Sequence, residues 1–315
     1  MTADPQAPSP ETTEARPSSG RILSANAGLA CVMLMWGSAF PLIEDLLTTW
    51  DVLINTTVRM AAGAFVLVSI FVVAEYGRIF RGPIPWGRVF LLGFFGFGVN
   101  TVIFTAGVAN TGGANAAIVA ALMPIIGAIA ARVINGERLR RATVIAATIA
   151  FAGCVLVVVA RAREVGEFRG GALLVLIAMS LWAWYSIQAQ RWLSGWSQVR
   201  IGAMTATAGA LSLAVMSVVG VTLGLAGNRH DFSPGAIAII IYLAVTSNGV
   251  ALVLWSNGVK VLGVTLATLF SNTIPMIAVA ISFLFFDQTP LPLELVGGAV
   301  VIGGVIYGQM ALLKR

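Results

Sequence analysis

Ten apolar stretches of roughly 20 residues each constrain the fold of this chain more than any other feature. A helix rises about 1.5 Å per residue, so about 20 residues cross the roughly 30 Å hydrocarbon core of a bilayer. The stretches are 25–43, 52–75, 89–108, 114–134, 143–160, 171–189, 201–226, 236–256, 265–285 and 293–313. The sequence therefore predicts an all-α integral membrane protein with ten transmembrane helices.

Composition excludes several classes of protein. The 315 residues are 58% hydrophobic and 10% charged, against about 25% charged in a soluble domain. The connections between the spans leave no room for a soluble catalytic domain. One histidine and two cysteines exclude a zinc protease and a disulfide scaffold. We therefore expect no enzyme activity, no metal and no cofactor.

The amino-terminal residues 1–24 differ from the rest of the chain. They are rich in Pro, Ser, Thr and Glu and lack apolar periodicity, which predicts a disordered tail. The first apolar stretch is longer than the 7–15-residue core of a signal peptide, and no small-residue cleavage site follows it. It is therefore predicted to be the first membrane span.

The distribution of basic residues predicts orientation, because Lys and Arg in short loops mark the cytoplasmic side. With the amino terminus inside, fourteen of the nineteen Lys and Arg residues lie in cytoplasmic segments. Four lie in external loops and Arg59 lies within a span. This predicts a multi-pass plasma-membrane protein, in a bacterium an inner-membrane protein, with both termini cytoplasmic. The same distribution accounts for the net charge of +6 without a nucleic-acid partner.

An internal repeat relates the two halves of the chain. An ungapped shift of 151 positions superimposes several glycines and one proline. The matched pairs are Gly98-Val99 with Gly249-Val250, Gly107-Val108 with Gly258-Val259, Gly112 with Gly263, Pro124 with Pro275, and Gly153 with Gly304. We predict repeats over 25–161 and 170–315, each with five helices. Because five is odd, the second copy is inverted, which predicts a central cavity at the repeat interface.

Several short motifs occur in a fixed order along the first repeat. They are Trp36-Gly37-Ser38-Ala39-Phe40-Pro41, Arg59, Gly112-Gly113-Ala114-Asn115-Ala116, Pro124, Gly136-Glu137-Arg138-Leu139 and Gly153. Their order and spacing, over residues 25–313, resemble EamA-type members of the drug/metabolite transporter superfamily. The second copy departs from the pattern, with Asp287-Gln288 at the position of Gly136-Glu137 and Trp182-Ala183-Trp184 at that of Trp36-Gly37.

The resemblance implies a ten-helix carrier that moves small metabolites or drugs, often outward, and it selects no substrate. We therefore expect a secondary transporter of a small, amino acid-like or other organic solute that works by alternating access. A lipid scramblase and a non-transporting structural membrane protein are the alternatives. The expected partners are the small-molecule substrate and membrane lipid. GxxxG patterns at Gly220 and Gly304 fit helix contacts within the bundle or in a homodimer.

Arg59 is the leading candidate for the substrate site. A charge near the middle of a span costs about 2.5–3.5 kcal/mol on insertion scales and should face protein or water. Two interpretations stay open. Arg59 either reaches outward to Glu44, Asp45 or Asp51, or binds a substrate carboxylate in the cavity.

Other polar and aromatic residues inside the spans are further candidates for the cavity wall, with ordinary helix packing as the alternative for each. They are Trp36, Asn100, Phe104, Asn115, Trp182, Tyr185, Asn248, Trp255, Thr268 and Asn272. Thr268, Asn272 and Pro275 are spaced to share one face of a regular helix. Pro124 and Pro275 are candidate kinks or gating points, or static kinks.

Overall fold

The computed structural model describes residues 18–75, 82–136, 141–165 and 170–313. Every regular element in these ranges is helical. Residues 1–17 of the predicted disordered tail lie outside the described residues. The first helix begins at Ser19, six residues before the predicted span. Hydropathy detects only the apolar part of a helix, whereas the helix itself continues through polar, solvent-exposed residues.

Five helical segments form the first half of the molecule, and the fourth is broken. They are α1 (Ser19–Thr49), α2 (Val52–Ala74), α3 (Trp86–Thr111), α4 (Gly113–Ala120) with α5 (Met123–Asn135), and α6 (Arg141–Val165). The helix α3 contains a π-helical turn at Phe94–Val99. The helices α4 and α5 meet at a bend of 44°.

The second half has the same order of elements. It contains α7 (Gly171–Trp192), α8 (Gln198–Thr222), α9 (Pro234–Leu262), α10 (Val264–Leu269) with α11 (Ile274–Phe286), and α12 (Pro292–Leu313). The helix α9 contains a π-helical turn at Thr246–Val250, and a 3₁₀ turn at Phe270–Thr273 joins α10 to α11. All ten predicted spans thus lie largely within helices.

Six of these helices are long and apolar enough to cross a membrane, and the bent pair α4 and α5 makes a seventh candidate. The six are α1, α2, α3, α7, α8 and α9. The remaining predicted spans contain shorter apolar helices, at Val144–Gly153, Phe270–Phe286 and Pro292–Gly304. Large apolar side chains such as Phe65 and Phe285 point outward, as expected where lipid is the solvent.

Unusual backbone conformations recur at equivalent positions of the two halves. Gly112 has φ 83° and ψ 154°, and Gly263, 151 residues later, has φ 81° and ψ 159°. These values favour glycine because a Cβ atom would clash with the backbone. Gly136 and Asp287, also 151 residues apart, both end their helices in the left-handed conformation. Asp287 is the one non-glycine residue with positive φ in the described part of the chain.

Contacts between helices also recur reciprocally. A Cβ on Gly153 of α6 would lie 2.7 Å from the carbonyl oxygen of Gly297 in α12. A Cβ on Gly304 of α12 would lie 3.1 Å from the carbonyl oxygen of Ala146 in α6. Gly153 and Gly304 are 151 positions apart, and so are their contact partners Ala146 and Gly297. Equivalent residues of α6 and α12 therefore form both contacts, which is the pattern of two copies related by a two-fold axis. Small residues here let the two backbones approach closely.

A second reciprocal contact joins the helices near the middle of the molecule. Gly63 of α2 faces the Cβ of Asn248 in the π turn of α9. Gly209 of α8 faces the Cβ of Phe97 in the π turn of α3. The glycines differ by 146 positions and their partners by 151. The offset is therefore 146 for the first two helices of each half and 151 for the others.

Candidate functional site: a cavity between the two halves

A cavity of about 140 Å³ lies where the two halves meet. Helices from both halves contribute to its wall, including both π-helical turns. Its lining residues are Trp36, Ala39, Phe40, Ile43, Arg59, Met60, Gly96, Phe97, Asn100, Thr101, Phe104, Ala120, Met123, Met179, Trp182, Ser247, Asn248, Leu252, Trp255, Ser271 and Ile274. The wall is mostly aromatic and aliphatic, with one charged residue.

Three tryptophans form an aromatic cluster in this wall. The ring centroids of Trp36 and Trp182 are 5.7 Å apart, and those of Trp36 and Trp255 are 5.1 Å apart. Trp182 and Trp255 are 6.5 Å apart. Trp36 and Trp182 are equivalent at the 146-residue offset. Such separations suit edge and tilted ring packing, which gives a rigid apolar wall.

The π turn of α9 supplies one backbone carbonyl group and one side-chain amide group to the site. Trp36 donates its indole N–H to the carbonyl oxygen of Ser247 at 3.2 Å. The amide of Asn248 donates to the carbonyl oxygen of Arg59 at 3.2 Å. A π turn disrupts the regular helical hydrogen-bond pattern, and such turns are frequent at functional sites. The turn thereby ties α9 to both α1 and α2.

The carboxamide of Asn100 is held by a backbone group of α7. Its Nδ2 donates to the carbonyl oxygen of Ala178 in α7 at 2.5 Å. This hydrogen bond fixes the orientation of the side chain. Asn100 and Phe104 both line the cavity from α3, and the ring of Phe104 packs edge-on against Phe40 at 5.2 Å.

Arg59 is the buried charge of this cavity. Its side chain is 2% exposed, and Nη2 donates to the hydroxyl of Thr105 at 3.1 Å. Nε has no hydrogen-bond partner in the part of the chain that the structure describes. No carboxylate among the described residues pairs with the guanidinium. A buried charge without its counter-charge is costly, so the site favours an anionic group at Arg59.

Two of the three predicted partners of Arg59, Glu44 and Asp51, interact with other groups. Glu44 accepts a hydrogen bond from the backbone N–H of Gly113 at 2.7 Å. Asp51 forms an ion pair with Arg229, with Oδ1 and Nε 3.3 Å apart. The expected outward reach of Arg59 to Glu44, Asp45 or Asp51 is therefore absent from the described residues. The guanidinium lies between α2 and α3 because Thr105 holds it there.

The structure brings seven of the eleven predicted site residues to this cavity. They are Arg59, Trp36, Asn100, Phe104, Trp182, Asn248 and Trp255. Tyr185 lies behind the wall, where its hydroxyl hydrogen-bonds that of Thr205 at 3.0 Å and its ring packs on Phe97. Asn115 lines a separate pocket.

Thr268 and Asn272 are not among the residues that line the cavity, although both are buried. The prediction assumed one regular helix, whereas the 3₁₀ turn at Phe270–Thr273 changes the rotation per residue. Ser271 and Ile274 line the cavity instead. The methyl group of Thr268 packs near Gly127 of α5, where an added Cβ would be 3.3 Å away.

Three methionines of the wall, Met60, Met123 and Met179, were not predicted. They sit inside apolar stretches, where hydropathy cannot distinguish a cavity wall from a lipid-facing surface. Thr105, the partner of Arg59, was also missed. A threonine 46 residues from the arginine carries no local signal in the sequence.

Pro124 and Pro275 lie in the first turn of α5 and α11. A proline there removes no helical hydrogen bond, because the first N–H groups of a helix have no intrahelical acceptor. Each proline therefore follows a helix break and starts the next helix. The bend of 44° between α4 and α5 lies directly before Pro124, where a kink was predicted. Gating at either proline stays a prediction.

Comparison with known proteins places the chain in a family. The model of the EamA-like transporter family matches residues 23–159 and again residues 169–307. The chain belongs to this family. It is an EamA-type member of the drug/metabolite transporter superfamily, a multi-pass membrane protein that transports a small solute and is not an enzyme.

Individual relatives of this EamA-type transporter are distant. An uncharacterized transporter of Bacillus subtilis, YyaM, is 26% identical over 78% of this chain and 80% of its own length. A probable terminal-alkyne amino-acid exporter of Streptantibioticus cattleyicolor is 24% identical over 91% of this chain and 94% of its own length. A crystal structure with 20% sequence identity has a TM-score of 0.68 over 95% of this chain and all of the other, and shares the fold.

Proposed function

We propose that this transporter exports a small zwitterionic solute, with an amino acid-like carboxylate bound at Arg59. The observation that carries the proposal is the buried guanidinium in the cavity wall, which has no carboxylate partner among the described residues. The planar guanidinium matches a carboxylate through paired hydrogen bonds. A bound carboxylate would supply the missing counter-charge.

The rest of the cavity supports an apolar or aromatic substituent on this solute. Trp36, Trp182 and Trp255 present ring surfaces, and Phe104 extends this wall. Such faces also attract an ammonium group through the ring quadrupole. A zwitterion would thus place its carboxylate at Arg59 and its remaining groups against the aromatic wall. One relative is named a probable terminal-alkyne amino-acid exporter, and an amino acid is a solute of this class.

We further propose that the two halves, predicted as repeats 25–161 and 170–315, are ten membrane-spanning helices in two inverted copies. The reciprocal glycine contacts and the recurring backbone conformations support this arrangement. Rocking of one half against the other would expose the cavity to each side in turn. The Lys and Arg distribution supports cytoplasmic termini in the plasma membrane.

The test is counterflow in liposomes that contain the purified protein. Zwitterionic amino acids with apolar side chains should exchange saturably, whereas the corresponding decarboxylated amines should neither exchange nor compete. Truncating one partner of a buried, hydrogen-bonded charge pair costs about 2–5 kcal/mol. Arg59→Gln should therefore lower the exchange rate by roughly 30-fold or more, at 1.4 kcal/mol per factor of ten.

Arg229→Gln is the matched control, because Arg229 is an exposed arginine paired with Asp51. It should exchange at the rate of the unmodified protein. Equal exchange of amines and amino acids, together with full activity of Arg59→Gln, would overturn the carboxylate assignment. Movement of labelled lipid without any soluble exchange would favour a scramblase. Higher accumulation of cargo in cells that overproduce the protein would contradict export.

A further inference from the structure

A second pocket, separate from the cavity, has lining chemistry that the proposed transport cycle does not use. It has a volume of about 900 Å³ and lies between α4, α11 and α12, beside Glu44 of α1. The lining side chains include neither Arg, Lys nor His. Arg59 and the three tryptophans of the cavity do not line it.

Two carboxylates face this pocket. Glu44 accepts a hydrogen bond at Oε2 from the N–H of Gly113 at 2.7 Å, and Glu294 accepts at Oε2 from the N–H of Leu291 at 2.9 Å. Glu294 is 7% exposed. Neither glutamate forms an ion pair with a described residue. Each therefore keeps its other carboxylate oxygen for a cation.

Two buried polar side chains in the same lining each have an oxygen atom without a hydrogen-bond partner among the described residues. Asn115 is 4% exposed, and its Oδ1 accepts no hydrogen bond, while its Nδ2 donates to the carbonyl oxygen of Thr111 at 3.1 Å. Ser282 is 1% exposed, and its hydroxyl has no hydrogen-bond partner. Buried polar atoms are rarely left unpaired. The oxygen atoms of Asn115 and Ser282 can each accept a hydrogen bond, so a ligand that donates hydrogen bonds would satisfy them.

We propose that this second pocket binds the primary ammonium group of an organic amine. An ammonium offers three donors and a positive charge, which suits a lining that carries two carboxylates and the acceptor oxygens of Asn115 and Ser282. The apolar lining, with Met276, Val279 and Phe283, suits a hydrocarbon substituent on the amine. The proposal is independent of the carboxylate site at Arg59.

The experiment measures binding of 2-phenylethylamine to the full-length protein in detergent by isothermal titration calorimetry. The neutral analogue 2-phenylethanol has the same apolar substituent without the charge. We expect saturable binding of the amine and at least tenfold weaker binding of the alcohol. Phosphatidylethanolamine in mixed micelles forms a separate arm, because its headgroup carries the same ammonium.

Glu44→Gln and Glu294→Gln should each weaken amine binding by about tenfold, as expected on removing one charge-assisted contact. Glutamine can still accept the backbone hydrogen bond, so both variants should fold. If Glu294→Gln does not fold, the result for Glu44→Gln is sufficient to test the proposal. Ser282→Ala should weaken binding a few-fold. Asp45→Asn is the matched control, because Asp45 neighbours Glu44 but does not line the pocket; it should bind normally.

Arg59→Gln should also bind the amine normally, which separates this site from the transport site. Binding of the soluble amine supports a soluble ligand, and competition by phosphatidylethanolamine alone supports a lipid headgroup as the source of the ammonium. Equal affinity for 2-phenylethanol, unchanged affinity in Glu44→Gln, or no binding in either arm would overturn the proposal.

Discussion

The two halves of this transporter have the same order of helices and similar backbone conformations, but they differ in the side chains that line the cavity. At equivalent positions, Trp36 and Trp182 are identical, whereas Arg59 of α2 corresponds to Thr205 of α8. In the π turns, Phe97 corresponds to Asn248. Helix geometry and close packing are therefore retained in both halves, while charge and hydrogen-bonding groups differ between them.

The second pocket shows the same contrast. Glu44 corresponds to Gln190, Ser282 to Ala131 and Glu294 to Thr143 in the sequence. Its acidic lining has no charged counterpart in the other half. Symmetry can serve a motion in which the halves exchange conformations, whereas a ligand needs particular donors and acceptors at one place. The differences between the halves thus coincide with the groups that we propose bind ligands.

The largest effect should distinguish Arg59 from its counterpart. Arg59→Thr makes the first half resemble the second and should reduce counterflow of the cargo by roughly 30-fold or more, from the loss of about 2–5 kcal/mol. Thr205→Val removes the hydrogen bonds of the Thr205 hydroxyl with Tyr185 and with the carbonyl oxygen of Ile201 and should leave most of the activity. Similar losses in the two variants would indicate that Arg59 acts as a structural residue.

The next prediction tests the reciprocal contact between α6 and α12. Gly153→Val and Gly304→Val each place side-chain atoms where backbone atoms of the partner helix lie about 3 Å away. Overpacking of this kind costs about 1–3 kcal/mol, so both variants should lower the melting temperature by similar amounts. Gly235→Ala is the control, because an added Cβ there has no neighbour within 4 Å. A large difference between the two valine variants would break the symmetry.

A smaller effect should separate the equivalent tryptophans. Trp36→Phe loses the hydrogen bond to Ser247, worth about 0.5–1.5 kcal/mol. Trp182→Phe removes an indole N–H that has no partner among the described residues, so it should be less destabilising. The comparison is made by thermal unfolding of the two purified variants. A greater loss in Trp182→Phe would show that the ring contacts outweigh the hydrogen bond.

The smallest effect concerns the left-handed helix ends. Asp287→Gly should stabilise the protein by less than about 1 kcal/mol, because glycine adopts positive φ without a steric penalty. Gly136→Ala should destabilise it by a similar amount. Melting temperatures of both variants provide the measurement. If Asp287→Gly lowers the melting temperature, the aspartate side chain contributes more than its backbone strain costs.

Much of the fold was predictable because a bilayer imposes simple rules on sequence. Apolar length located all ten helical segments, and the 151-residue offset matched helices that contain the same backbone features. The repeat at 151 residues does not extend to the first two helices of each half, where the offset is 146. Identities at this offset include Trp36 with Trp182, Trp50 with Trp196, and Ala62-Gly63-Ala64 with Ala208-Gly209-Ala210. The equivalent contacts of Gly63 and Gly209 agree with it.

The candidate site was predictable to the extent that a residue was unusual for its surroundings. Arg59 and the deep tryptophans are rare inside membrane spans, and they line the cavity. Thr268 and Asn272 were misplaced because a 3₁₀ turn interrupts the helix on which their shared face depends. Glu44 and Glu294 are 250 residues apart in sequence and line the same pocket only because the helices pack together.

The sequence by itself determined a helical membrane protein with a duplicated architecture. The reason is that the length of an apolar segment and the recurrence of glycines at a fixed offset can both be read directly along the chain. Only the tertiary structure decided that Thr105, not a carboxylate, holds Arg59, and that Asn115 and Ser282 share a pocket with two glutamates. The physical reason is that hydrogen-bond partners and pocket walls are set by how helices rotate and pack. Breaks and π turns within helices change that rotation without a clear signature in the sequence.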